Sequence, residues 1–205
     1  MARAFRRKGQ RFVAKFDPME REVVADILEQ TRELVAPPDT GRHKASSGDE
    51  FDQIVASISV GRDGPADPPE DLADRDPALD RLLPVAHRGD EKVAAEFRRL
   101  TEHDLRDRKA ANLTVAIEAL RGTEGDQLEL TRKQADAVVV ALTDARLVLG
   151  ERLGLKTDED ALALDQLVAT LDPEDPVVYA ASFYDFLTWM QESLTTALLG
   201  RGLFR

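Results

Sequence analysis

Two hydrophobic periods divide this chain. Between residues 4 and 16 a period of two sets Phe12, Ala14 and Phe16 on one face, with Phe5 across a glycine turn, and beyond residue 17 the apolar positions recur at helical spacing. Alternation marks a half-buried strand pair, and recurrence every three or four residues marks an amphipathic helix. The segment 4–16 therefore predicts a β-hairpin. Lys8-Gly9 supplies a two-residue turn, because glycine accepts a positive φ. That register pairs Phe5 with Phe12, continues the apolar face through Ala14 and Phe16, and turns Arg11 and Lys15 away. A lone hairpin is marginal in water, so its phenylalanine face is expected to lie on helices.

The first helix is announced by Asp17 as N-cap, Pro18 in the first turn and Glu20 completing a capping box. Met19, Val23, Val24, Ile27, Leu28 and Leu34 form its stripe, and Pro37-Pro38 ends it. Residues 37–48 and 61–75, rich in Pro, Gly and charge, read as mobile loops. Between them Phe51, Ile54, Val55 and Ile58 mark a short helix. A helical turn follows from Pro77, with Leu79, Leu82 and Leu83, and Pro84 stops it. The longest helix runs from about Glu91 to Arg121 and ends at Gly122 and Gly125. Another runs from Thr131 to about Arg152, and the segment 157–172 is acidic with a short apolar stripe of Leu162, Leu164, Leu167, Val168 and Leu171. The last helix, from about Pro176 to Leu199, is apolar nearly all round and is expected in the core. An uncovered face on it would allow a homodimer. The pattern as a whole predicts a mainly α single domain over 1–205: a helical bundle of four to five main helices, core 76–200, with an N-terminal β-hairpin.

Composition narrows the chemistry. There is no cysteine, which removes disulfides, thiolate catalysis and thiolate metal sites, and leaves Met1, Met19 and Met190 as the oxidisable sulfurs. The net charge of −11 opposes a duplex phosphate backbone on average. The exception is local, since Arg3, Arg6, Arg7, Lys8, Arg11 and Lys15 occupy the first sixteen residues without an acid. No apolar run follows this stretch as a secretory signal requires, and none is long enough to span a bilayer, so a cytoplasmic protein without membrane contact is expected.

No constellation of catalytic type is present. His43, His87 and His103 lack partners at zinc-site spacing, the Gly61-Arg62-Asp63-Gly64 turn lacks the P-loop lysine, and no Gly-x-Ser-x-Gly elbow occurs. Asp104, Asp144, Asp185 and Glu192 lie within or beside apolar stripes, as in carboxylate bundles. Such bundles need Glu-x-x-His pairs, and Leu100 stands where the glutamate before His103 would be. The carboxylates read instead as a buried polar network, with Asp144 and Arg146 set against Arg98, Lys109 or Asp185, and with Asp104 nearby. The chain is therefore expected to be non-enzymatic, with no cofactor and no metal. A bundle metalloprotein built on Asp104, Asp144 and Asp185 is the less favoured alternative. The basic hairpin residues Arg3, Arg6, Arg7, Lys8 and Arg11 are the candidate contact for a partner or for DNA.

Four blocks carry a resemblance. They are Asp76-Pro77-Ala78-Leu79-Asp80-Arg81-Leu82-Leu83-Pro84, then Ala95-Glu96-Phe97-Arg98-Arg99-Leu100-Thr101-Glu102-His103-Asp104-Leu105-Arg106 with Lys109 and Asn112 just after it. The third is Leu142-Thr143-Asp144-Ala145-Arg146-Leu147-Val148-Leu149-Gly150-Glu151-Arg152-Leu153, and the fourth Tyr184-Asp185-Phe186-Leu187-Thr188-Trp189-Met190-Gln191-Glu192-Ser193-Leu194. In this order the chain resembles an actinobacterial family carried as a domain of unknown function, one branch of which is the oxidative-stress transcriptional regulator AosR. The resemblance implies transcriptional regulation through protein partners such as a sigma factor or RNA polymerase, and it implies no catalytic residues. That branch switches through a pair of cysteines, which this cysteine-free chain does not have. Direct DNA binding through the basic hairpin is the alternative.

Overall fold

The computed structural model describes residues 2–36, 75–84 and 91–200, with the backbone alone for 91–100. The chain folds as β1 (Arg3–Lys8), β2 (Arg11–Lys15), α1 (Pro18–Val35), α2 (Pro77–Leu82), α3 (Glu91–Arg121), β3 (Gln127–Leu130), α4 (Arg132–Arg152), α5 (Asp158–Val168) and α6 (Pro176–Leu198). It is mainly helical with an N-terminal antiparallel hairpin, as the periodicity predicts. The expected loop at 37–48, the short helix near 51–58 and all of the expected loop at 61–75 except Arg75 lie outside the described residues.

The sheet differs from expectation in two respects. First, the turn is Gly9-Gln10, with Lys8 opposite Arg11, Arg7 opposite Phe12 and Arg6 opposite Val13. Gly9 carries the positive φ of 63°, which suits the first position of a two-residue hairpin loop. Phe5 and Phe12 are thus not directly paired. They still share a face, because the turn moves by one residue and so changes the pairing by two positions, an even number that preserves the side-chain alternation. An extra residue on β1 between Arg3 and Arg6 makes a bulge and restores Arg3 opposite Lys15. Second, β3 joins β2 antiparallel, giving the order β1-β2-β3. Leu128 and Leu130 stand opposite Ala14 and Phe12 and extend the buried face.

Caps open the helices, that of α1 as its sequence suggests. Asp17 and Glu20 form a capping box on α1, and Asp76 caps α2. Thr131 with Gln134 opens α4, and Thr157 with Asp160 opens α5. Helix α3 packs against α1 and α4, while α6 packs against α4 and β1. One apolar cluster runs from Phe5, Phe12 and Phe16 through Leu28, Leu113, Leu120, Leu142 and Leu149 to Leu187, Met190 and Leu194. Only part of α6 is fully covered: Ala180, Leu187, Met190, Leu194 and Ala197 are buried, while Tyr179 and Leu199 are exposed. Met19, read as part of the α1 stripe, is 76% exposed. It falls on the outer side of the first turn, and Val35, fully buried, extends the stripe at the other end.

Two buried arginines tie helix ends to the rest. Arg21 lies on the same stripe as Val24 and Leu28, and its guanidinium donates to the carbonyls of Phe16 (3.0 Å), Gly125 (2.5 Å) and Thr123 (2.9 Å). It thereby clamps the start of α1 to the turn before β3. Arg106 of α3 donates to the carbonyls of Val35 (3.0 Å) and Ala36 (3.4 Å), satisfying the C-terminus of α1, and its guanidinium also pairs with Glu102. Hydrogen bonds and charge from Arg106 and Arg75 outweigh the burial of the Glu102 carboxyl and hold its pKa below the usual value.

Phe16 is 2% exposed and meets three rings: Phe5 at 5.7 Å, Phe186 at 6.1 Å and Trp189 at 6.2 Å between centroids. A truncation here loses buried area and opens a cavity where the sheet meets α6. We predict that Phe16→Ala destabilises the fold by about 3–5 kcal/mol, measured by urea denaturation. A loss under about 1 kcal/mol would mean that the sheet is not anchored through this ring.

Candidate functional site

The sheet has one face on the core and one outward. The pairings Arg3–Lys15, Arg6–Val13 and Lys8–Arg11 place Arg3, Arg6, Lys8, Arg11 and Lys15 together on the outward face, all exposed. Val13 lies among them and is nonetheless 3% exposed. The register surrounds it with Arg6, Arg11, Lys15 and Glu129, and long cationic side chains cover apolar neighbours with their stems while their heads stay in water. Of the five hairpin residues expected to form a contact, four share this face. Arg7 stands opposite Phe12, on the other side, and its Nε donates to the Gly9 carbonyl at 3.0 Å. Lys15 takes its place in the set.

None of these five cations has an ion-pair partner among the described residues. Elsewhere cations are largely taken up. Arg32 holds Glu29, Arg75 holds Glu102, Arg81 holds Glu151, Arg121 holds Glu22 and Asp26, Arg132 holds Asp136, and Arg152 holds Asp76. The outward face also sets like charges directly opposite each other twice, at Arg3–Lys15 and Lys8–Arg11. Such cross-strand pairs are destabilising. In a chain of net charge −11, an unneutralised patch of this kind is a local positive field that can attract an anionic surface. Glu129, opposite Val13, is the acid that β3 contributes to this face, and Gln127 holds its carboxylate at 2.7 Å.

The expected polar network is smaller in the structure. Lys109 of α3 reaches Asp144 of α4, Nζ to Oδ1 2.5 Å, and Asp144 is 2% exposed. The other oxygen, Oδ2, is buried without a hydrogen-bond partner. Burial pushes the Asp144 carboxyl up, and Lys109 only partly offsets this. Arg146 lies over the Tyr184 ring at 5.2 Å and donates to Gln191 Oε1 at 2.8 Å rather than to a carboxylate. Asp104 and Asp185 are exposed and stand outside the network, as does Glu192. Arg98 falls where only backbone is described. His103 is exposed and sits 3.3 Å from Asp107, one helical turn on, while His43 and His87 are outside the described residues. Among the described residues no three His, Asp or Glu side chains gather closely enough to hold a metal ion.

Lys109–Asp144 joins the two central helices, so removing one partner strands a charge in the core. We predict that Asp144→Ala costs about 3–5 kcal/mol, whereas the double substitution Lys109→Met with Asp144→Leu recovers most of that loss. Native Asp144 takes up its proton at higher pH than the unfolded chain does. Its contribution to stability is therefore present at low pH and lost as pH rises from the ordinary carboxylate range through the folded value. Glu102 runs the opposite way, its contribution being present above that range and lost on acidification. Urea titrations across the acid range check this, since the double variant removes the first component and keeps the second.

Comparison with known proteins places the chain. It is 29% identical over 210 aligned residues, covering 95% of this chain and 85% of theirs, to proteins named oxidative stress regulator AosR in Mycobacterium tuberculosis and Mycobacterium bovis. It is 30% identical over 171 residues, 77% of this chain and 70% of the relative, to a putative oxidative stress regulator AosR of Mycobacterium leprae. No solved structure matches the chain significantly. The family model described as "Domain of unknown function (DUF2017)" matches residues 2–198, and the chain belongs to that family.

Proposed function

We propose that this protein is a non-enzymatic regulator in the oxidative-stress response that acts on transcription through a protein partner, a sigma factor or RNA polymerase, in the cytoplasm. The regulatory part of the reading is supported by the relatives' names and by alignment along nearly the whole chain. The observation that carries the mode of action is the outward sheet face, with five exposed cations and no described ion pair among them. An acidic protein surface can neutralise such a patch, and its lower charge density meets less long-range repulsion from a chain of charge −11 than a duplex does. No helix among the described residues is long and apolar enough to cross a membrane.

Without cysteine the chain has no thiol switch of its own, so on this reading an oxidant acts on its partner, through another component, or on a methionine such as the exposed Met19. Affinity capture from native cytosol, with and without peroxide and read by mass spectrometry, is expected to recover a sigma factor or polymerase subunits. Recovery of neither would contradict the reading. The second reading, direct DNA binding, uses the same face. It predicts a gel shift whose affinity falls steeply with salt and is lost on neutralising Arg3, Arg6, Lys8 and Arg11.

A further inference from the structure

Opposite in character to the sheet face is the C-terminal region. From residue 157 to 200 the chain carries nine acids and no Lys, Arg or His. Within it α5 is a complete helix, closed at its N-terminus by the Thr157–Asp160 capping box, yet none of its residues is buried. Its contacts with the rest of the fold run to α6, and Leu164 and Val168 are half-covered. On the solvent half stand Leu162, 62% exposed, Ala163, also exposed, and Leu167, 47% exposed. An eleven-residue helix is marginal in water by its own propensity and ordinarily owes its stability to a covered apolar face. Here the outer apolar positions are left open.

The charges around them select the occupant. Asp158, Glu159 and Asp165 are exposed, and none has a described ion pair. Asp160 differs, because the backbone N–H groups of Lys156 and Thr157 bond its carboxylate and hold its pKa low; it belongs to the cap. A symmetric pairing of α5 with α5 of a second copy would face these carboxylates with each other. A membrane surface, anionic in its cytoplasmic leaflet, would repel them as well. We infer that the outer face of α5 is a docking surface for a cationic amphipathic helix of a partner protein. Apolar side chains of that helix would cover Leu162, Ala163 and Leu167, and its lysines or arginines would pair with Asp158, Glu159 and Asp165. Helix-on-helix docking of this kind reads anchors at helical spacing and takes its orientation from flanking charge. The surface is separate from the basic sheet face, so it gives the protein two contacts of opposite sign and does not depend on which partner the sheet face takes.

The test uses the purified full chain and a fluorescein-labelled amphipathic peptide built of lysine and leucine. The control is a peptide of the same charge with serine in place of leucine. Anisotropy titrations at moderate salt are expected to show binding of the leucine peptide well above the control. The Leu162→Ser, Leu167→Ser variant, altered only at exposed positions, is expected to bind about tenfold more weakly or less. Amide exchange is expected to slow across α5 when the peptide binds, while the sheet amides stay unchanged. Equal binding of both peptides, or binding unaffected by the double substitution, would reduce the effect to nonspecific charge attraction and overturn the proposal. Concentration-dependent self-association of the chain that the same double substitution abolishes would make a second copy the occupant and would overturn it too.

Discussion

Everything at the N-terminal end depends on Phe16 being buried between the sheet and α6. The residue ends the hairpin's apolar face and stands one position before the N-cap of α1. Its ring meets Phe5 from the sheet and Phe186 and Trp189 from the last helix. That packing joins the first sixteen residues to the last main helix and decides which face of the sheet turns to water. The arginines and lysines point outward because the phenylalanines have somewhere to go. Arg21 secures the same corner by a different force, since its three bonds to backbone carbonyls hold the start of α1 against the turn before β3. A buried guanidinium with most of its donors used is tolerable, whereas an unpaired one is not.

The energetics divide between a conventional apolar core and a surface that gives up stability. Helices α3 and α4 bring the Lys109–Asp144 pair into that core, where one carboxylate oxygen is left without a partner. A pair of this kind contributes little net stability but penalises any helix register that separates the two groups. The outward sheet face places like charges opposite one another, and α5 leaves leucines in water. Local rules of this sort are ordinarily broken where binding is the return. The two faces have opposite charge and lie on different elements.

Much of this was legible in the residues. The start of α1 carries its own cap in the sequence, and Asp17 with Glu20 marks a boundary that the structure keeps. The inward phenylalanines follow from alternation alone, and they survive a turn displaced by one residue because the register changes by an even step. β3 was not legible. Four residues, Gln127–Leu130, alternate too briefly to stand out, and the strand forms only because β2 offers an edge and Gly125, with φ of 70°, allows the turn ahead of it. The inward carboxylates were over-read. Asp104 and Asp185 flank apolar stripes in sequence, but a helix presents neighbouring positions on different faces, and only Asp144 turns inside. Arg21 was open to detection as a charge on the stripe of Val24 and Leu28, though its three carbonyl partners come from residues far apart in sequence or outside any regular element. The basic face was visible as composition; that its cations stay unpaired required the fold.

The most direct test of the central claim is the affinity of the purified chain for purified RNA polymerase and for sigma factors. The comparison is between wild type and an Arg6→Glu, Arg11→Glu, Lys15→Glu variant at two salt concentrations. All three heads are exposed but their stems cover Val13, so circular dichroism and urea melting of the variant establish its fold before binding is read. The account predicts binding by the wild type that weakens as salt rises, and its loss in the variant. Binding that survives charge reversal would contradict the assignment of the sheet face, and no binding by either protein would contradict regulation through the transcription machinery.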